Sequence, residues 1–252
     1  MNYKKELNET FDNMSEFGIT FSGGFNVILA KYRNKLLGNI IKHQEPKEPK
    51  EPKILEVGGA DGLCTKFLAD RFSNVTVLEP VESLACELQS KFKNVTVYCK
   101  TLEEFDSNAK FDYIIAFNVL EHTEDDDKFL EYIRRFMHNK SSFILTVPNA
   151  RSMHRQLGKE LCIINDIFDL TDTDKLVGHK RYYDYTILNS KLRKNGFWTV
   201  DYHGVILKPF PNNIMLQLDK YYDGLYSLGY THRENGAELF VLSVKYENII
   251  LS

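Results

Sequence analysis

The chain predicts an α/β fold, an open sheet of about seven mostly parallel strands with helices on both faces. From Ile54 to Pro148, short apolar or β-branched runs alternate with amphipathic segments of helical length. Runs such as FDYIIAF at 111–117 are apolar throughout, as strands covered on both faces must be. The first run ends in glycines, ILEVGGADG at 54–62, a turn that can carry a buried strand into a helix.

Composition supports a folded core and narrows the partners. The 252 residues are 43% hydrophobic and 13% aromatic, enough to exclude wholesale disorder. Lys and Arg (32) nearly balance Asp and Glu (35), a net charge of −3, so no nucleic-acid partner is expected. No apolar run is long enough to span a bilayer, and the opening MNYKKELNETFDN has no apolar signal region, so a cytoplasmic protein is expected. Cys64, Cys86, Cys99 and Cys162 lie far apart without zinc-ligand spacing. They read as small buried hydrophobes in a reducing compartment, and no metal site is expected. The sequons at Asn8, Asn74 and Asn94 read as chance matches.

Residues 1–44 read as a helical arm, patterned on Val27, Ile28, Tyr32, Leu36 and Ile40 after a break at Gly23–Gly24. The arm is too short to fold alone and is expected to lie on the main domain, over its active site. Residues 45–53, EPKEPKEPK, hold three of the seven prolines and read as an extended linker. The main domain then runs over 54–252. Strands are expected at 54–58, 74–80, 94–100, 111–119 and 141–148, with helices at 63–72, 82–92 and 125–137. The acids at 125–127 suit the positive end of the last helix. An insertion at 150–183 precedes a helix at 185–197 and a strand at 198–207, and a second insertion at 208–235 precedes the final strand at 238–246. Ligands of open α/β sheets sit at the carboxyl ends of the strands, where these insertions would form a lid. KPFPNN at 208–213 shows no helical pattern and reads as a rigid loop at the substrate mouth.

Chemistry concentrates in the glycine turn. A dinucleotide turn, G-x-G-x-x-G from Gly58, would need glycines where Ala60 and Leu63 stand, and Asp61 would face a pyrophosphate. A cationic ligand without phosphate suits Glu56 and Asp61 better, and S-adenosylmethionine, with its ammonium and sulfonium, is one. Glu79, at the end of the second strand before Pro80, can accept both hydroxyls of a ribose, a placement that fits either ligand.

Residues 54–149 resemble a class I S-adenosylmethionine-dependent methyltransferase, with a Rossmann-like sheet. LEVGGADG, LEP, TLEEF, FDYIIAFNVLEH and LTVPN occur in that family's order. The family's turn is usually G-x-G-x-G. Ala60 at its middle position should narrow the site. The resemblance implies S-adenosylmethionine as cofactor. Glu56 and the turn Gly58, Gly59, Ala60, Asp61 and Gly62 would then hold the methionine moiety, and Glu79, with Pro80 beside it, the ribose. Thr101 and Leu102 would flank adenine, without the carboxylate many members place there. Asn118, followed by Val119, would face the reacting methyl, with Glu121 and His122 just beyond.

A second cluster, GHKRYYDY at 178–185, resembles a segment of methyltransferases that act on sugars and related small molecules. His179 is the first candidate base, because imidazole titrates where it can take a hydroxyl proton, and His122 is the second. His154, His203 and His232 follow. Arg151, Arg155, Lys180 and Arg181 could grip an anionic group on the acceptor. The expected acceptor is a hydroxyl of a sugar, a sugar acid or an activated polysaccharide precursor. The alternatives are N-methylation of an amino sugar, a cofactor-binding protein without catalysis and, most weakly, an NAD-dependent dehydrogenase.

Overall fold

A computed structural model describes residues 3–17, 20, 23–43 and 51–246. Two helices come first, α1 (Tyr3–Glu16) and α2 (Phe25–His43). They are followed by β1 (Ile54–Val57), α3 (Leu63–Ala69), β2 (Val75–Leu78), α4 (Glu82–Lys91), β3 (Val95–Tyr98) and β4 (Phe111–Phe117). Next come α5 (Asp126–Arg135), β5 (Met137–Pro148), α6 (Met153–Glu160), α7 (Asp172–Leu176), α8 (Tyr185–Lys194) and β6 (Phe197–Gly204). The chain ends with α9 (Asn212–Met215), α10 (Tyr222–Thr231) and β7 (Glu238–Lys245). The seven strands lie in the order β3-β2-β1-β4-β5-β7-β6. β7 runs antiparallel to both β5 and β6, whereas the pairs from β3 through β5 are parallel.

Strand periodicity explains the two-sided core. Successive side chains point to opposite faces. Leu55, Ile114, Phe143, Leu145 and Val241 therefore pack under α5 and α8, against Phe129, Ile133, Leu188 and Leu192. Ile54, Tyr113, Ile115, Ile144 and Phe240 enter the opposite layer, with Leu68, Leu88 and Tyr226. That layer also contains Tyr32, Leu36, Leu37 and Ile41 of α2, so the helix expected in the arm supplies side chains to the core. Tyr32 is fixed further by stacking on Tyr226 at 4.7 Å and by donating its hydroxyl to Asp223 at 2.9 Å.

The order of strands reverses between β1 and β4, and the crevice above that point opens at the carboxyl ends of the parallel strands. Because β7 is reversed, its first residue, Glu238, lies at the same edge, paired in register with Pro148.

Several expectations are corrected. The arm carries a helix, α1, that the apolar pattern did not reveal. The helix expected to reach residue 137 stops at Arg135, and Met137 already pairs with Phe111. The helix expected to reach 197 stops at Lys194. Gly196, at φ +77, turns the chain so that Phe197 can begin β6. KPFPNN is not all loop, since α9 begins at Asn212, directly after Pro211. Cys86 and Cys162 are exposed and Cys64 and Cys99 half-buried, all four as free thiols. Cys86 is exposed because α4 buries the face that carries Leu84, Ala85 and Leu88. Residues 45–50 of the expected linker lie outside the described residues, and 51–53 have no regular structure. No helix among the described residues is long and apolar enough to cross a membrane.

Candidate active site

A cavity of about 870 Å³ opens over the switch point. Its floor begins with the glycine turn. Gly58 at φ +82 and Ala60 at φ +45 are both left-handed, a conformation that glycine adopts freely and alanine at some cost. A Cβ on Gly58 would stand 2.8 Å from Val119 Cγ2, and one on Gly59 2.6 Å from Leu88 Cδ1. The backbone thus turns tightly above β1 and presents Ala60 and Asp61 to the cavity. Gly62, at φ +88, caps α3 and does not line the cavity. Its part is to let the turn end between Leu88 and Phe92.

Three carboxylates gather here. Glu79 is buried, with Oε2 accepting from the Ala60 N–H at 2.8 Å and Oε1 from the Val81 N–H at 2.9 Å. Burial raises its carboxyl above the usual range, against these hydrogen bonds. Glu56 lies beneath the turn, where burial pushes its carboxyl up to about 8 although Thr65 donates to Oε2 at 2.7 Å. Asp61 Oδ2 is buried without a hydrogen-bond partner among the described residues. A cation beside these carboxyls would draw Glu56 back to its charged form, whereas a phosphate would meet Asp61 and gain nothing from Glu56. The set therefore fits a cationic adenosyl ligand: Glu79 keeps free lone pairs for a ribose, and Glu56 and Asp61 suit an ammonium. Pro80, Thr101 and Leu102 continue the wall. Thr101 and Glu104 hold their loop by reciprocal bonds of 3.1 and 3.3 Å.

The other half of the cavity carries the histidines. His122, in a 3-10 turn after β4, lies with Nδ1 3.2 Å from the Gly178 carbonyl, and His179 meets its ring edge-to-face at 4.8 Å. Burial first, and then the neighbouring His179, push the His122 imidazole down to about 3, so it stays neutral and Nδ1–H donates to Gly178. His179 Nδ1 stands 3.3 Å from Asp174 Oδ1, within ion-pair distance but outside hydrogen-bond geometry. Asp174 accepts from the Tyr182 hydroxyl at 2.8 Å and from the Thr171 hydroxyl at 2.7 Å within a capping box. Burial alone would raise the Asp174 carboxyl, but its interactions with His179, Thr171 and Tyr182 outweigh burial and hold it well below the usual range. Glu121, His122 and His179 each offer one possible ligand atom within 4.8 Å of the others, a spacing that could hold a cation. Glu121 is fully buried, both oxygens lack a hydrogen-bond partner among the described residues though Oε1 lies 3.9 Å from His122 Nε2, and burial pushes its carboxyl up to about 7.

The remaining sequence candidates divide. Asn118 and Val119 line the cavity. The Asn118 side chain is tied down, donating to Glu238 Oε1 at 2.8 Å and accepting from the Thr146 hydroxyl at 2.9 Å. Of the four basic candidates only Arg155 reaches the wall. Lys180 is held by Glu6 at 2.7 Å and by Glu124, Arg181 bonds the Glu124 carbonyl at 3.1 Å, and Arg151 pairs with Asp184 at 3.2 Å. His154 lines the cavity, whereas His203 stacks on Tyr230. Sequence reasoning missed Asp174, whose signal was the T-x-x-D cap at 171–174, and Arg33, which pairs with Glu238 at 3.3 Å. It also missed Tyr3 and Leu7 of α1, which line the cavity wall together with Phe11.

Comparison with known proteins agrees with this fold. A family model described as a methyltransferase domain matches residues 29–202. The human mitochondrial ubiquinone biosynthesis O-methyltransferase is 26% identical over 187 residues, 71% of this chain and 50% of that protein. The ubiquinone biosynthesis O-methyltransferase of Rickettsia conorii is 26% identical over 161 residues, 49% of this chain and 53% of that protein. The chain spans about half the length of these curated relatives. Magnesium protoporphyrin IX methyltransferase from Synechocystis PCC 6803, solved with bound SAH, superimposes with a TM-score of 0.62 at 15% identity. That match covers 96% of this chain and 97% of that one, and at such identity it shows the fold alone. With residues 29–202 matched, the chain belongs to the methyltransferase-domain family, the class I S-adenosylmethionine-dependent methyltransferases.

Proposed function

We propose that the protein methylates a hydroxyl of a small-molecule acceptor, with His179 as the base and Asp174 as the group that orients it. The observation that carries this reading is the 3.3 Å approach of Asp174 to His179 Nδ1, in the same cavity as Glu79 and the glycine turn. A carboxylate at Nδ1 favours the tautomer with its proton there and leaves Nε2 free to accept one. S-adenosylmethionine supplies an electrophilic methyl on its sulfonium. Glu79 holds the ribose, Glu56 and Asp61 face the ammonium, and the walls from α1 and the first insertion exclude water. His179 would take the acceptor's proton at Nε2 while the hydroxyl oxygen gains the methyl group, for which the bound cofactor would supply a sulfur leaving group that keeps the bonding electrons. Positioning supplies most of the acceleration, because the two reactants are held in line.

The names of the curated relatives favour oxygen over nitrogen as the methylated atom. The carbohydrate acceptor expected from GHKRYYDY has no counterpart among them and rests on that segment alone. Replacing His179 by Ala should lower turnover about 10²–10⁴-fold, the usual share of a general base, and leave S-adenosylhomocysteine affinity unchanged. Full turnover in His179→Ala would remove the base from this reading.

A further inference from the structure

Charge in the acceptor half of the cavity is unbalanced at one residue. Lys208, at the start of the second insertion, lines the cavity, and its Nζ lies 5.7 Å from the centre of the Phe25 ring. Among the described residues no carboxylate stands within ion-pair distance of it. The other cations of this wall are already committed. Arg155 donates to the Ile167 carbonyl at 2.8 Å and to the Asp169 carbonyl, and lies 3.7 Å from Asp174 and 3.8 Å from the centre of the Tyr182 ring. Arg33 is paired with Glu238. His154, whose backbone N–H donates to the Lys208 carbonyl at 2.9 Å, is pushed down to about 3 by burial first and then by Lys208 and Arg155. It therefore adds a neutral imidazole beside the ammonium.

Lys208 is half-buried in the cavity wall, and an ammonium partly withdrawn from water without a counter-ion is unfavourable. Burial lowers the Lys208 amine to about 8, while Glu238 and Asp174 pull it back up from a distance and Arg155 adds to the lowering. Topology separates this group from the cofactor half. Glu79 and Thr101 follow β2 and β3 at one end of the sheet, and Lys208 follows β6 at the other, with the histidines between.

We propose that Lys208 docks a carboxylate of the methyl acceptor, making the acceptor a hydroxylated organic acid whose anionic end lies over the β5–β6 side and whose hydroxyl lies toward His179. This rests on the methyltransferase reading above. Lys100 also reaches the cavity, but at the cofactor end beside Thr101. In the acceptor half Lys208 is the one uncommitted positive charge among the described residues, and with Glu238 and Asp174 in electrostatic reach it suits a monoanion and disfavours the second charge of a phosphate.

Calorimetry on the protein saturated with S-adenosylhomocysteine tests this. The probes are hydroxylated acids, each beside its neutral amide: 3-hydroxyphenylacetate with 3-hydroxyphenylacetamide, and glucuronate with glucuronamide. Inorganic phosphate forms a separate arm. At least one acid should bind about tenfold or more tightly than its amide, the effect of one charge-assisted contact. Lys208→Met should erase that preference and Lys208→Arg should keep it, both binding S-adenosylhomocysteine as the parent does. Acids that bind no better than their amides, no binding of any acid, a preference that survives Lys208→Met, or phosphate binding more tightly than every acid would each overturn the proposal. If S-adenosylhomocysteine itself fails to bind the parent protein, the methyltransferase reading fails instead.

Discussion

At the scale of single residues, the sequence placed the glycine turn, Glu79, His122 and His179 at one cavity, but not the groups around the histidines. Glu79 could be placed because a strand end and a glycine turn are local signals, set by residues within a few positions of each other. Asp174 and Lys208 could not, because Asp174 gains its meaning from His179 and Lys208 from the lack of a counter-ion in the cavity, and only the folded insertions set either. Asp174 meets His179 at 3.3 Å, yet it also closes the cap of α7, so its role needs a substitution that separates the two. Asp174→Asn should reduce turnover about 10–100-fold, a fraction of what the base itself contributes, and Asp174→Glu should recover part of it. Thr171→Ala, which removes the cap hydroxyl at about 0.5–2 kcal/mol of stability but leaves the carboxylate beside His179, should keep turnover. If Thr171→Ala and Asp174→Asn lose turnover alike, Asp174 serves only the fold of its loop.

At the scale of elements, the strands were readable because burial on both faces leaves continuous apolar runs, as in β4 and β5. The arm was readable only in its second helix. α2 carries Tyr32, Leu36 and Leu37 into the core, whereas α1 buries only Met14 fully and shows little apolar signal. Its attachment is polar. Lys180 bonds Glu6, the Lys4 ammonium donates to the Cys99 carbonyl at 2.7 Å, and Asn8 donates to the Pro80 carbonyl at 3.4 Å. These contacts bridge the histidine loop and the strand ends beside Glu79, a placement that suits a closing lid. Removing residues 1–20 should leave the core folded, since α2 remains, and should cut turnover about 10–100-fold through lost positioning. Thermal unfolding and turnover measured together check this. A truncated protein with full turnover would make α1 a bystander.

At the scale of the whole molecule, a nearly neutral chain gathers buried acids at one end of its sheet. Burial lifts the Glu56 carboxyl from 4.5 to about 8, lifts Glu121 to about 7 and raises Glu79. A folded-state pKa above the unfolded one means that the folded protein binds more protons between the two values. Its stability therefore falls as pH rises from about 4.5 to 8, by up to about 1.4 kcal/mol for each unit by which a carboxyl is raised. The free protein should melt at a lower temperature near pH 8 than near pH 6, and Glu56→Gln should flatten that slope. Equal slopes in the two proteins would place the titrating group elsewhere.

A cationic ligand at these acids is the centre of the account, and equilibrium binding tests it most directly. Calorimetry should show S-adenosylhomocysteine binding at one saturable site and NAD not binding. Glu79→Ala should weaken S-adenosylhomocysteine by about 1.5–3 kcal/mol, the loss of charge-assisted hydrogen bonds in a buried site, or roughly 10- to 150-fold. NAD binding more tightly than S-adenosylhomocysteine, or an unchanged dissociation constant in a folded Glu79→Ala protein, would contradict it.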